Sequence, residues 1–170
     1  MNTRTKIFYL TLLAAFQISL NAAPKKIGYP SFLSPHARPI LAHEGRVFVA
    51  NTPSDSLDVI DAKTRKVIRR IPVGIDPVSL ALRPDGRELW VANHVSDSVS
   101  VIDTNPESRT YLRVVDTVQD FDLRAKATRF DEPVGIAFAN NEKAYVALSS
   151  ENKIAIIDVR SRKVRRHLNI

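Results

Sequence analysis

The tetrapeptide Trp90-Val91-Ala92-Asn93 (WVAN) occurs three times in this chain in slightly different forms, and its recurrence decides the fold. It stands first as Phe48–Asn51 (FVAN) and last as Tyr145–Leu148 (YVAL). The first two copies are 42 residues apart, and the third follows after another 55 residues. Self-similarity of this kind indicates a repeat architecture in which each copy is one structural unit.

A second motif, an apolar run that ends in aspartate, follows each tetrapeptide after a short polar turn. Its three forms are Leu57–Asp61 (LDVID), Val99–Asp103 (VSVID) and Ile154–Asp158 (IAIID). The copies keep the same order and spacing, apart from 13 additional residues before the third. These residues, 119–131 (QDFDLRAKATRFD), are predicted to be an inserted loop.

Alternating apolar residues, interrupted by turn dipeptides such as Asp85-Gly86, predict four short strands per copy. In the second copy these are Val78–Arg83, Glu88–Asn93, Ser98–Thr104 and Tyr111–Val118. Helical repeats would need an apolar period of about 3.6 residues, and a β-sandwich would not require the same tetrapeptide three times. The sequence therefore predicts an all-β fold, a partial β-propeller of about three four-stranded antiparallel blades.

The order of these motifs resembles the YVTN β-propeller repeat family. Aromatic-Val-Ala-Asn is followed by Val-Ile-Asp and then by a basic strand that ends at Ile71–Gly74 (IPVG), and Asp76-Pro77 then opens the next copy. The resemblance implies blades at 34–74, 75–118 and 132–170. Leu148 in place of asparagine and a shortened first turn at Glu44-Gly45 depart from the pattern. Similar repeats occur in lactonase-like propellers, in surface-layer proteins and in chains that continue into cytochrome c domains, so the resemblance predicts the fold more closely than the function.

Three blades are fewer than the roughly four to eight with which propellers close. We therefore expect the remaining blades to come from missing sequence or from another copy of the chain. Either source would cover the apolar faces of the terminal blades.

The amino terminus has the three parts of a secretory signal peptide. A short basic start is followed by the apolar run Ile7–Leu20 and by small residues before Pro24. Because that run is shorter than the roughly 20 residues of a membrane-spanning helix, cleavage is expected rather than retention as an anchor. Residues 1–22 are predicted to be the signal peptide and 23–33 a linker, which makes the mature protein periplasmic or secreted.

Composition excludes several kinds of site. The chain has no cysteine, which rules out disulfides, thiolate metal sites and covalent haem attachment within these residues. The formal charge of +7 is read as a solubilising surface, and no nucleic acid partner is expected. No catalytic or cofactor motif is present, so no cofactor or metal is expected.

Residues that recur in every copy are expected to be structural. The aspartate that ends each Val-Ile-Asp motif is predicted to bond to the turn that follows it, and the aromatic residue of each tetrapeptide to pack between blades. Candidates for contacts with a ligand or partner are instead residues that occur once. Arg38, Asp76 and Glu132 precede the prolines that open the innermost strands, where they are expected to ring the channel mouth, and His94 follows the second tetrapeptide.

The inserted loop supplies the other candidates, Phe121, Arg124 and Phe130, which are expected to be exposed among charged residues. Together these features predict an exported scaffold that binds a protein, an envelope polymer or a small ligand, with no catalysis in this chain. The alternatives are a lactonase-like enzyme and a propeller module of a longer cytochrome c-type redox protein.

Overall fold

Three four-stranded antiparallel sheets form the part of the chain that the structure describes. The computed structural model describes Ser34 and residues 36–170, so the signal peptide and linker predicted for 1–33 lie outside the described residues. The first sheet, blade 1, contains β1 to β4: Ile40–His43, Arg46–Asn51, Ser56–Asp61 and Lys66–Pro72. Blade 2 contains β5 to β8: Pro77–Leu82, Glu88–Asn93, Ser98–Asp103 and Val114–Val118. A two-stranded hairpin follows, with β9 at Phe121–Asp122 and β10 at Ala127–Thr128. Blade 3 contains β11 to β14: Pro133–Phe138, Lys143–Leu148, Lys153–Asp158 and Lys163–Asn169.

Each blade is a meander in which consecutive strands are neighbours, as in a propeller. The outermost pair of every blade carries a bulge at the same point, next to Val59, Val101 and Ile156. The prediction of an all-β partial propeller with four-stranded antiparallel blades is thus confirmed. Among the described residues, no helix is long or apolar enough to cross a membrane.

The predicted strand at Tyr111–Val118 was wrong at its start. Strand β8 begins only at Val114, because residues before it form turns and Leu112 has a left-handed backbone with φ of 56°. A residue in that conformation cannot continue an extended strand. The alternation of apolar residues in this segment therefore reflects a buried turn rather than a longer strand.

The blades pack face to face through two apolar clusters. One joins blade 1 to blade 2 and includes Phe48 and Leu57 from the former with Leu89 and Val91 from the latter. The other joins blade 2 to blade 3 and includes Trp90, whose ring meets Phe138 edge-on at 5.1 Å between centroids. The predicted packing of aromatic residues between blades is therefore confirmed for the first two tetrapeptides.

Within the described part of the chain, blade 2 alone packs against another blade on both of its faces. All six residues of its strand β7 are buried, whereas the corresponding strands of blades 1 and 3 contain partly exposed residues. Tyr145, the third tetrapeptide aromatic, is partly exposed and lies on the face of blade 3 that points away from blade 2.

The insertion is a hairpin rather than an irregular loop, and its end returns to the core. Phe130 is fully buried and belongs to the cluster between blades 2 and 3. The expectation that Phe130 is an exposed contact residue was wrong, because its ring fills space beside Val118 and Trp90 instead of facing solvent.

Candidate functional site

The recurrent aspartates at the end of each third strand are structural, as predicted. Their carboxylate Oδ1 atoms accept backbone N–H bonds from the turns that follow, at 2.8 Å from Thr64 to Asp61, 2.9 Å from Asn105 to Asp103 and 2.8 Å from Ser161 to Asp158. The N–H of Ser161 and the guanidinium of Arg165 hold the pKa of Asp158 far below its usual range. These carboxylates are engaged in turns and are not available as acids or bases.

A second set of aspartates links neighbouring blades. Asp55 and Asp97 occupy the turn between the second and third strands, both with positive φ. Asp55 Oδ1 accepts the N–H of Asp76 at 2.9 Å, and Asp97 Oδ1 accepts the N–H of Glu132 at 3.0 Å. Each blade thus fixes the residue before the proline that opens the next blade. Sequence reasoning identified only a turn here, although the 42-residue offset between the two aspartates was a usable signal.

Four polar residues meet where blade 2 adjoins blade 3, and we call His94, Asp97, Asp131 and Glu132 the mouth cluster. The backbone N–H of His94 donates to the Asp76 carbonyl oxygen at 2.9 Å, and its Nε2 lies 4.0 Å from Glu132 Oε2. His94 is only 9% exposed, and its Nδ1 has no hydrogen-bond partner among the described residues. Of the predicted mouth residues, the structure therefore brings Asp76, His94 and Glu132 together.

The mouth cluster carries an excess of negative charge. Burial raises the pKa of Asp97, and the nearby carboxylates of Asp131 and Glu132 raise it further, against the Glu132 N–H bond that lowers it. Asp131 accepts a bond from the Ser150 hydroxyl at 2.7 Å. With three carboxylates and one imidazole, the mouth cluster favours a cationic group over an anion. Among its four side chains there is no nucleophile beside an oxyanion site.

Arg38 does not join this group. Its side chain is exposed, and its backbone forms a parallel bridge with Ser79 on the innermost strand of blade 2. The remaining histidines lie apart, with His36 Nε2 at 2.8 Å from the Thr52 hydroxyl and His167 Nε2 at 3.8 Å from Asp120 Oδ2. Within the described residues, no three His, Asp or Glu side chains are placed to hold a metal ion.

The hairpin at 121–128 presents the other candidate contacts. Phe121 is 56% exposed and Leu123 is 83% exposed, and Arg124 at the tip is also exposed. Asp122 Oδ1 accepts the N–H groups of Arg124 and Ala125 and thereby shapes the tip. At the base, Arg129 pairs with Asp120 at 2.9 Å. The hairpin therefore exposes two apolar side chains, Phe121 near its base and Leu123 in its turn.

A groove of about 360 Å³ lies at the outer edge between blades 2 and 3. Within it, Glu88 forms ion pairs with Arg83 and with Arg162, each at 3.0 Å. Arg162 also lies 3.3 Å from Asp116. We interpret this groove as a joint between blades, because Arg162 of blade 3 reaches Glu88 and Asp116 of blade 2 there.

The comparisons with known proteins agree with this architecture. The chain is similar to the hydrazine synthase of Kuenenia stuttgartiensis, with 28% identity and a TM-score of 0.64 over 84% of this chain and 39% of that one. It also resembles the β-propeller domain of Cps50 (Swd1) from Myceliophteria thermophila, with 18% identity and a TM-score of 0.60 over 77% of this chain and 40% of that one. The chain thus spans about two fifths of either structure. No curated protein matches it.

A family model supplies the assignment. The model of the YNCE-like β-propeller matches residues 30–130, which is more than half of the 170-residue chain. The match covers blades 1 and 2 and most of the hairpin segment, the same region in which the tetrapeptide and the Val-Ile-Asp motif repeat at 42 residues. The chain therefore belongs to the YNCE-like β-propeller family.

Proposed function

We propose that this chain is an exported propeller scaffold that binds a partner without transforming it. The observation that carries the proposal is the pair of exposed apolar side chains on the hairpin, Phe121 on strand β9 and Leu123 in the turn that follows it. Apolar side chains that a fold does not bury mark contact surfaces when they are grouped and fixed in place. The mouth cluster, with Asp76 beside it, is a further contact surface suited to cationic groups.

The exposed apolar residues of the hairpin take no part in core packing, whereas Phe130, which follows strand β10, does. Phe121 and Leu123 belong to neither apolar cluster, whereas Phe130 lies inside the cluster between blades 2 and 3. Deleting the whole segment 119–131 would therefore damage the core and confuse a binding defect with misfolding. Substitutions of Phe121 and Leu123 test binding without disturbing the core.

The test is the double variant Phe121→Ser, Leu123→Ser, compared with a matched control. The control, Val67→Ser and Ile68→Ser, removes two apolar side chains that are 54% and 46% exposed on blade 1. We expect the Phe121→Ser, Leu123→Ser variant to capture about tenfold less partner, or less still, from an extract of the source cell envelope. The control should capture as much as the parent chain. Equal capture by both variants would remove the hairpin from the proposal.

Export is a separate part of the proposal and rests on residues 1–22. A fusion of these residues to a reporter enzyme that is active only outside the cytoplasm should give activity. Mass spectrometry of the mature protein should find a start at Ala23, and a start at Met1 would contradict cleavage.

A module of a larger enzyme is the second candidate, favoured by the 28% identity with the hydrazine synthase over 84% of this chain. A haem absorbance band in the gene product purified from its own cells would support the cytochrome c-type version. Hydrolysis of lactones by the purified chain would support the lactonase-like version. Either a haem band or lactone hydrolysis would contradict the proposal of a scaffold that only binds.

A further inference from the structure

The hairpin belongs to none of the three blade sheets. Within the described part of the chain its strands pair only with each other, through Phe121 with Thr128 and through Asp122 with Ala127. The five consecutive residues 123–127, which form the turn and begin β10, are all exposed. A turn exposed along its whole length is a convex surface, and a flat partner can contact it without providing a matching cavity.

The two faces of the hairpin differ in their chemistry. Side chains alternate along an extended strand, which places Phe121 and, at the end of β9, Leu123 on one face. Asp120 and Asp122 belong to the opposite face, where both form ion pairs with Arg129, at 2.9 and 3.7 Å. The acidic side chains of the hairpin are thus compensated on one face, and the other face is apolar.

The turn of the hairpin carries two cations and no acid. Arg124 and Lys126 are exposed, and neither pairs with an acidic side chain among the described residues. Asp122, which precedes the turn, uses its Oδ1 to accept the N–H groups of Arg124 and Ala125. Long cationic side chains can keep their charge at the level of lipid phosphates while their stems and apolar neighbours enter the acyl boundary. Cations beside exposed apolar side chains are therefore typical of a surface that binds an anionic bilayer.

The turn between β3 and β4 of blade 1 has the same construction and provides an internal comparison. It follows Asp61, whose Oδ1 accepts the N–H of Thr64, and it exposes Lys63 and Arg65, again one lysine and one arginine two positions apart. Its first residue is Ala62, whereas the hairpin turn begins with a leucine that is 83% exposed. Cations suffice to keep a turn soluble, and a large exposed apolar side chain does not help. The leucine therefore indicates contact with an apolar phase.

We propose that the hairpin binds the surface of a bilayer that contains anionic phospholipid. Phe121 and Leu123 enter the boundary between headgroups and acyl chains, and Arg124 and Lys126 lie among the phosphates. The net positive charge of the chain adds long-range attraction to such a surface. This inference rests on the proposed function, because it names the partner of the same exposed residues.

The first test is sedimentation of the purified chain with vesicles of phosphatidylcholine that contain about 30% phosphatidylglycerol. The variant Arg124→Gln, Lys126→Gln removes the turn cations, and Lys63→Gln, Arg65→Gln is the matched control. Both pairs occupy the same kind of turn, and the second member of each has a left-handed backbone, with φ of 52° for Lys126 and 58° for Arg65. We expect the hairpin variant to bind the vesicles about tenfold more weakly than the parent, and the control within about twofold of it.

The second test follows the apolar side chains. Phe121→Ser, Leu123→Ser should also weaken vesicle binding by about tenfold or more. Because the chain has no cysteine, Leu123→Cys can carry a single polarity-sensitive fluorophore, and Ala62→Cys on the comparison turn serves as its control. The emission of the label at 123 should shift to shorter wavelength on the vesicles, and that of the label at 62 should not. All variants should unfold at the parent's urea midpoint, since the substituted side chains are exposed.

Two results would overturn the inference: no binding of the parent to the vesicles, or equal losses for the hairpin cations and the control cations. The proposed function has a separate readout in an envelope extract cleared of membranes by ultracentrifugation. If vesicle binding fails while Phe121→Ser, Leu123→Ser still reduces capture from that extract, the partner is a protein or a polymer and the proposed function stands. If neither assay depends on Phe121 and Leu123, both the inference and the role of the hairpin in the proposed function are wrong.

Discussion

Asp97 forms a hydrogen bond that recurs between blades, and it also lies close to other negatively charged side chains. Its Oδ1 accepts the N–H of Glu132, as Asp55 accepts that of Asp76, yet only Asp97 has two further carboxylates nearby that raise its pKa. Asparagine preserves the acceptor oxygen and tolerates the positive φ of 48°. It also stands at the same place in blade 3, as Asn152.

We predict that the stability of Asp97→Asn relative to the parent chain increases as pH rises above about 4. The folded parent binds its proton more tightly than the unfolded chain, so it loses stability as pH rises through the raised pKa, and the amide removes that loss. Urea unfolding at several pH values measures the difference. Asp55→Asn serves as the control for replacing a carboxylate by an amide in the same bond. The prediction would be contradicted if the advantage of the variant in free energy of unfolding became smaller with rising pH.

Gly74 is required by close approach rather than by a special backbone conformation. A Cβ atom there would lie 2.3 Å from Ser96 Oγ and 2.6 Å from Nδ2 of the fully buried Asn93. We predict that Gly74→Ala lowers the free energy of unfolding by about 1–3 kcal/mol, because the side chain of Asn93 has no space to move. Gly135→Ala is the control, since its nearest neighbour would be 3.9 Å away. Equal unfolding midpoints for the two variants would show that the site relaxes freely.

At the scale of elements, the inserted segment divides into a part that packs in the core and a part that remains exposed. Phe130 is fully buried, and Phe121 is 56% exposed, although both are phenylalanines in one inserted segment. The sequence could not separate them, because the segment lies outside the repeat and has no counterpart in the other copies. Their difference depends on where the hairpin rejoins blade 3.

We predict that Phe130→Ala lowers the free energy of unfolding by about 3–5 kcal/mol, because it opens a cavity between blades 2 and 3. Phe121→Ala should leave it unchanged within about 0.5 kcal/mol. Denaturant titration followed by the fluorescence of Trp90, which lies in the same cluster as Phe130, provides the measurement. Similar losses for both variants would show that Phe121 also packs in the core.

At the scale of the whole molecule, blades are held together by apolar contacts between their faces and by polar contacts at their edges. Blades 2 and 3 share an apolar cluster, the bond from Glu132 to Asp97 and the ion pairs of Arg162. The apolar cluster provides most of the attraction, because partly exposed ion pairs contribute little. The edge contacts therefore contribute the smaller share.

We therefore predict that Arg162→Ala costs only about 1 kcal/mol of stability, and that this cost diminishes in high salt. The exposed Arg160→Ala on the same turn is the control for loss of charge. Thermal unfolding at low and high NaCl measures both. A cost that stays constant with salt would mean that Arg162 acts through packing of its stem rather than through Glu88 and Asp116.

The sequence alone determined the repeat, its four-stranded unit and the turns that bound it, because these follow from local alternation and turn chemistry that each copy carries within itself. It also separated the recurrent aspartates from catalytic residues. It did not determine burial: the tetrapeptides that contain Phe48, Trp90 and Tyr145 are nearly identical, yet Tyr145 remains partly exposed. Tertiary structure decided that difference, and likewise the burial of Phe130 and the assembly of the mouth cluster. Each depends on which blade lies against which, and that contact joins residues far apart in the chain.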